Sequence, residues 1–392
     1  MKKIELVHLL DDRETPVYFY DMDLLAETLE SATTAASRFG YHLHYAVKAN
    51  HNEKILQTVN RQGLGADCVS GNEVKAALES GFHPEDIVFA GVGKTDHEIK
   101  FALEAGIFAF NCESLQEVEI IDQLTREKGR RAGIFLRLNP DMDAHTHEKI
   151  STGKAENKFG MPMKELQHFL NCQGDFKYID WLGLHFHIGS QITDMAVFQG
   201  LCYRINEIQN NLESKGFRLP HLNVGGGLGI DYENPDGNRI PDFETYFKTF
   251  HRYLHLRPGQ QLHFEPGRSL VGQSGILLSK VLFTKTGEDK RFVIIDASMT
   301  DLLRPALYDA VHKIENMSRQ GEKTMVYEVA GPVCESSDVF AKRVALPETV
   351  RGDILAIYST GAYGQVMSSN YNMRNPAATV YSDEVEMMAT TD

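Results

Sequence analysis

Between residues 24 and 273 the chain alternates eight times between a short β-rich run and a segment with helical spacing. In order, the β-rich runs are YAVKA, GADCVS, DIVFAG, IFAFN, AGIFLRLN, WLGLHFHIG, HLNVGGG and QLHFEPG. Several of the helical segments, such as GNEVKAALESG and SLQEVEIIDQLTREKG, close on a glycine suited to a helix C-terminus. Strands of near-continuous apolar character belong to a parallel sheet buried on both faces. Eight of them with intervening helices predict an α/β architecture, a (β/α)8 TIM barrel. A doubly wound open sheet shares the alternation and is the rival.

Past residue 273 the texture changes. The runs GILLSKVLFTKTG, RFVIIDAS, MVYEVAG, DVFAKRVAL and DILAIYST read as strands joined by turns, without long helices between them. They predict a C-terminal β-rich domain, sandwich-like or barrel-like, over residues 274–392. The isolated run TPVYFYD precedes the first barrel helix, so residues 1–23 are expected to join that domain. A length of 392 residues, 42% of them apolar, is enough for both domains and a large core.

Partner classes follow from charge. Asp plus Glu number 54 against 40 Lys plus Arg, a net charge of -14, which argues against binding nucleic acid or an anionic membrane. The five cysteines, Cys68, Cys112, Cys172, Cys202 and Cys334, are odd in number and form no C-x-x-C pair, so a reducing compartment is expected. The opening MKKIELVHLLDDRETP breaks its apolar run at Glu5 and His8 and does not read as a signal peptide. Nothing approaches the roughly 20 apolar residues of a membrane span. A cytoplasmic protein is the expectation.

Two short motifs imitate nucleotide sites. GVGKT resembles the end of a P-loop, but the glycine that motif needs at position 88 is Val88. NVGGGLGIDY resembles a dinucleotide fingerprint, but counting from Gly225 places Ile230 where a small residue belongs. Three successive glycines after a strand still let backbone N–H groups approach an anion; a tight βα turn is the plain alternative. In HFHIGSQ, His185 and His187 share one side of a strand, a spacing open to a metal, but no neighbouring carboxylate or cysteine motif completes a ligand set. No metal is expected there, and a packed or ring-stacking histidine is.

Position sharpens the rest. Ligand-binding groups of a barrel gather at the C-terminal ends of its strands. Lys48, Asp67, His187, Gly225, Gly226, Gly227, Glu265 and Arg268 all fall at such ends, with Ser190 just past one. Lys48 interrupts a segment, LHYAVKANHN, that otherwise reads as buried, and an unpaired buried ammonium is costly. A lysine, a glycine loop suited to phosphate, an arginine, a histidine and a carboxylate together match the needs of pyridoxal 5'-phosphate. The amine would form a Schiff base with the cofactor aldehyde, and burial would lower its pKa and keep it nucleophilic.

The motifs YAVKAN, HFHIGSQ, GGGLGIDY, EPGR, CESSD and GAYG occur in the order found in the barrel-type, fold type III pyridoxal-phosphate decarboxylases of basic amino acids, which this chain resembles almost end to end. The resemblance implies a homodimer with active sites shared across its interface. It makes residues 24–273 the cofactor barrel, and 1–23 with 274–392 a β-rich domain adding substrate, catalytic and dimer contacts. Lys48 resembles the Schiff-base lysine, and His187 would stack on the ring. Ser190 and Gly225 to Gly227 would hold the phosphate, and Glu265 would pair with the ring nitrogen. Asp67, Gly267, Arg268 and Tyr363 complete the implied cofactor set, and Cys334 resembles the acid that returns a proton to Cα.

PDMDAHTHEKISTGKAENKFGM and DLLRPALYDAVHKIE resemble the branch of the family acting on diaminopimelate, which implies conversion of meso-2,6-diaminopimelate to L-lysine and CO2, the last step of lysine synthesis. That substrate carries a second amino-acid head, whose carboxylate calls for an arginine fork and whose amine calls for an acid. Arg268, Arg304, Tyr308, Glu335 and Tyr363 stand at positions that resemble family substrate contacts. A polyamine-pathway decarboxylase acting on carboxynorspermidine, arginine or ornithine is the nearest alternative, disfavoured by that arginine set. A racemase is disfavoured by Glu265, and a non-catalytic pyridoxal-phosphate-binding protein by the intact Lys48, Glu265 and Cys334.

Overall fold

The computed structural model describes residues 10, 13–140, 158–319, 321 and 324–389. Most of PDMDAHTHEKISTGKAENKFGM, and most of the N-terminal stretch, lie outside the described residues. The chain divides into two compact units: Leu29–Gly229 with Asp242–Leu270, and Met1–Thr28 with Ile230–Pro241 and Val271–Asp392.

Strand β1 (Val17–Tyr20) belongs to the second unit. The first unit is a closed parallel barrel of eight strands: β2 (His42–Ala46), β3 (Gly65–Cys68), β4 (Ile87–Phe89), β5 (Ala109–Cys112), β6 (Ala132–Leu138), β7 (Ile179–Phe186), β8 (His221–Asn223) and β9 (Gln261–Phe264). Strand β9 pairs back onto β2 through His42↔His263 and Leu43↔Phe264. All eight apolar runs therefore become barrel strands, and the open-sheet rival falls.

Helices start where side chains can satisfy their first N–H groups. Ser70 and Ser114 each accept from the backbone N–H three residues on, and Thr95 forms a reciprocal capping box with Glu98. The helices Met195–Ser214 and Phe243–Tyr253 bury Phe198, Tyr246 and Phe250 at ring distances of 4.9–5.9 Å, with Phe264 of β9 edge-on to Phe250. Such aromatic pairs contribute roughly 0.5–1.5 kcal/mol each beyond their buried area.

Toward the N-terminal ends of the strands, the barrel interior holds a chain of histidines. His44 Nδ1 lies 3.0 Å from the Asp86 carbonyl and its Nε2 3.0 Å from His263 Nδ1. His263 Nε2 lies 2.9 Å from His221 Nδ1, and the rings of Phe108 and Phe135 pack against this row.

The second unit is built on an eight-stranded sheet. Its strands are β1, β10 (Gly275–Thr286), β11 (Arg291–Ile295), β12 (Ile314–Asn316), β13 (Thr324–Ala330), β14 (Val339–Pro347), β15 (Ile354–Ile357) and β16 (Ala378–Tyr381). The order is β12-β15-β10-β11-β13-β14, with β1 pairing antiparallel to β10 and parallel to β16. The run TPVYFYD supplies β1, which pairs with β10 and β16. The stretch Ile230–Pro241 also groups with this unit: Lys313 Nζ lies 2.5 Å from Asp236 Oδ2, and the Arg304 guanidinium sits 4.6 Å from the Tyr232 ring. Among the described residues no helix is long and apolar enough to cross a membrane.

Candidate active site

At the C-terminal end of β2 the strand stops at Ala46 and the chain makes a one-turn 3-10 helix, Val47–Ala49. Lys48 therefore stands on a turn just past the strand, where the run YAVKA predicts strand throughout. Three bonds shape the turn: Ala46 N–H donates to the Pro266 carbonyl at 3.0 Å, Tyr45 OH to the Asn50 carbonyl at 2.8 Å, and Asn50 N–H to Val47 O at 3.1 Å. Lys48 is also less buried than the sequence implies, its side chain being 36% exposed. The buried member is its partner: Lys48 Nζ donates to Asp67 Oδ2 at 3.1 Å, and Asp67 is wholly buried. Burial, then the charge of Glu265, push the Asp67 carboxyl above its ordinary value, against the pull of Lys48.

Glu265 lies one residue past β9 and is 5% exposed. Asn111 Nδ2 and Asn223 Nδ2 donate to its Oε1 at 2.8 and 2.7 Å, and His185 Nε2 lies 2.9 Å from its Oε2. Burial presses this carboxyl upward, but the adjoining His185 and its hydrogen bond, with Lys48 and His187, outweigh it and hold the group well below the usual carboxylate range. His185 is thus occupied by a carboxylate in the barrel interior.

The glycine loop leaves β8 next to this carboxylate. A Cβ on Gly226 would lie 2.2 Å from the Glu265 carbonyl oxygen, and one on Gly225, whose φ is +66°, 2.5 Å from the Phe186 carbonyl oxygen. Only glycine fits such approaches. Gly226 N–H donates to His187 Nδ1 at 3.3 Å, which leaves the ring hydrogen of His187 on Nε2. Burial first, then the positive charges of Arg137 and Lys48, hold the His187 imidazole well below its ordinary pKa. Arg268 donates to Ser190 Oγ through Nε and Nη2, both at 3.2 Å, so the hydroxyl proton of Ser190 is turned to another acceptor. Gly267 has a packing reason: a Cβ there would sit 3.0 Å from Ala46 Cβ and 3.1 Å from Ala49 Cβ, beneath the Lys48 turn.

The other sequence candidates belong to the β-rich unit. Arg304 is buried, 2.7 Å from His312 Nε2 in addition to its stack on Tyr232. It opens the short helix Arg304–Tyr308, which ends on Tyr308. Cys334 is exposed; its N–H donates to Asn372 Oδ1 at 3.1 Å, and Tyr371 OH donates to Glu335 Oε1 at 2.8 Å. Tyr363 holds a left-handed φ of 55°, an uncommon conformation for a side-chain-bearing residue.

The barrel end fits pyridoxal phosphate by its own chemistry. It offers a primary amine, a loop from which side chains are sterically excluded, hydroxyl and guanidinium donors, and a buried carboxylate. Three buried polar atoms of this barrel end, Asp67 Oδ1, Asn111 Oδ1 and His185 Nδ1, have no hydrogen-bond partner. Asn111 and Asn223 were not legible as site residues; their signal is a lone neutral amide near the end of an apolar strand, which must find a partner when buried. Lys94 of the P-loop imitation is structural: its side chain is 1% exposed and donates to the Gly91 and Asn111 carbonyls at 2.8 and 2.9 Å and to Glu117 Oε1 at 2.6 Å.

Residues 25–272 match the pyridoxal binding domain of the pyridoxal-dependent decarboxylases, and the chain belongs to that family. It is accordingly a carboxy-lyase whose cofactor is pyridoxal 5'-phosphate. Within the family it is similar over nearly its whole length to diaminopimelate decarboxylases. The enzyme of Bacteroides thetaiotaomicron is 49% identical over 386 residues, covering 98% of this chain and 100% of that one. That of Zymomonas mobilis is 40% identical over 385 residues, covering 97% and 90%. The crystal structure of diaminopimelate decarboxylase from Helicobacter pylori complexed with L-lysine matches with a TM-score of 0.90 at 38% identity, covering 97% of this chain and 94% of that chain.

Proposed function

We propose that this chain converts meso-2,6-diaminopimelate to L-lysine and CO2. The observation that carries this reading is the full-length similarity to curated diaminopimelate decarboxylases, joined to a barrel end whose buried Glu265 is held as a carboxylate. Pyridoxal phosphate, when bound, supplies the electron sink that takes up the electron pair left as the carboxylate departs.

This chain's residues do the rest. Lys48 would hold the cofactor covalently, beside the Asp67 carboxylate that orients its amine. Gly225 to Gly227, Ser190 and Arg268 would hold the phosphate, and Glu265 the ring nitrogen, keeping it protonated. His187, fixed through Nδ1 by Gly226, would cover one ring face. The Cys334 thiol supplies the proton that replaces the departing carboxylate at Cα. Arg268, Arg304, Tyr308, Glu335 and Tyr363 would read the substrate, the arginines taking the far carboxylate and Glu335 the far amine.

Residues 24–273 act in this reading as the cofactor barrel, with 1–23 and 274–392 contributing substrate, catalytic and dimer contacts. The protein works as a cytoplasmic homodimer in which Cys334 and Glu335 complete the site of a second copy. The exposure of both residues on the single chain supports that arrangement.

The test supplies pyridoxal phosphate and, separately, meso-, LL- and DD-diaminopimelate, ornithine, arginine and lysine, and assays CO2 and amine products. Turnover of the meso isomer to L-lysine is expected. Preferential turnover of ornithine or arginine overturns the substrate assignment.

A further inference from the structure

We propose that Asn223 is a positioning residue that ties the two ends of the cofactor cradle together, its Oδ1 accepting from Gly225 N–H at 2.9 Å and its Nδ2 donating to Glu265 Oε1 at 2.7 Å. The inference rests on the reading that this barrel end holds pyridoxal phosphate.

Asn223 is wholly buried and ends β8, a strand paired on both sides, so its amide is held by the barrel itself. An amide suits the position because it accepts at one end and donates at the other, and it does not titrate. Aspartate would keep the bond to Gly225 and place a second negative charge against Glu265. Leucine would keep neither bond.

The second asparagine reinforces the carboxylate end alone. With Asn111 Nδ2 at 2.8 Å and Asn223 Nδ2 at 2.7 Å, Glu265 Oε1 receives two amide donors that cannot reverse polarity without flipping. A proton has no place on that oxygen. His185 then decides Oε2. Its Nδ1 is buried without a partner, and a buried N–H without an acceptor is rarer and costlier than an under-satisfied acceptor. The ring hydrogen therefore belongs on Nε2, where it donates to Glu265 at 2.9 Å. Three donors hold Glu265 ionised independently of the cofactor, and one of the three also fixes the start of the glycine loop. The phosphate end and the ring-nitrogen end are linked through a single side chain.

Two readouts separate the ends. The phosphate end is read as the ratio of affinities for pyridoxal phosphate and pyridoxal, and the ring end as the 15N shift of ring-labelled cofactor bound to the protein. Wild type should show a protonated ring nitrogen. Asn223→Asp, which keeps an acceptor for Gly225 N–H, should keep the phosphate ratio. Asn223→Leu should lose the signal and reduce the ratio by about fivefold to tenfold, the value of one neutral hydrogen bond. Asn111→Leu, which leaves Gly225 alone, should weaken the signal at an unchanged ratio, and it stands in should Asn223→Leu not fold. A reduced phosphate ratio in Asn223→Asp, or in Asn111→Leu a signal like wild type, overturns the proposal, as does a phosphate ratio within about twofold of wild type in folded Asn223→Leu. Failure of wild type to bind pyridoxal phosphate would instead remove the cofactor reading beneath it.

Discussion

The substitution Lys94→Met tests how a buried ammonium can be structural at the edge of an active site. Lys94 Nζ places its three hydrogens on Gly91 O, Asn111 O and Glu117 Oε1, and its side chain is 1% exposed against 13% for Glu117. Methionine fills the volume but leaves the carboxylate without its counter-charge and takes one donor from each of two carbonyls. Removing one member of a buried pair costs about 3–5 kcal/mol. The lower half of that range is expected, because Glu117 Oε2 keeps the Glu113 N–H at 2.7 Å. In a domain of this size that lowers Tm by roughly 6–16 °C. Adding Glu117→Gln removes the orphaned charge and should recover about 1–3 kcal/mol. Heat and urea unfolding of the three proteins measure both quantities. Lys94→Met within about 1 kcal/mol of wild type, or a double variant less stable than the single, would refute the reasoning. Because Asn111 shares this knot, the single variant should also bind pyridoxal phosphate more weakly, and Mg-ATP should leave Tm unmoved.

Other outcomes follow from the same geometry. Lys48→Ala should abolish covalent attachment of pyridoxal phosphate; mass spectrometry after borohydride reduction checks this, and a persisting adduct at the site would refute the assignment. Cys334→Ala should lower kcat by about 10²–10⁴-fold at unchanged cofactor affinity, the usual share of a general acid, and wild-type turnover would remove the acid role. Burial and the neighbouring imidazoles depress the pKa of His263, so the folded state disfavours its protonation. The stability this contributes is fully present above about pH 6.5, the ordinary histidine value, and is lost as pH falls below it. His263→Leu should therefore flatten the unfolding free energy against pH by about 1.4 kcal/mol per pH unit well below 6.5; identical slopes in the two proteins would contradict it.

The barrel was legible because strands covered on both faces are apolar without alternation, and each of the eight runs contains one. Strand ends were less so. Lys48, His187 and Glu265 sit one or two residues past Ala46, Phe186 and Phe264, because apolar cover continues beyond the last ladder bond. Strands β12 and β16 carried little signal, being three and four residues long. The grouping of Ile230–Pro241 with the β-rich unit depends on Lys313 and Arg304, more than 60 residues further on, and no local pattern announces it. Asn111 and Asn223 illustrate the same limit at the site. A buried amide must have a partner, but only the barrel's closure decides that both meet Glu265.

The histidine row inside the barrel has a consequence for the shape of its interior. The Asp86 carbonyl can only accept, so the hydrogen of His44 lies on Nδ1 and its Nε2 receives the Nδ1–H of His263, whose Nε2 in turn receives that of His221. Every ring leans on the one before it, in one direction, with Phe108 and Phe135 filling the spaces between. The barrel is therefore a cup and not a tube: its base is plugged by interlocked rings.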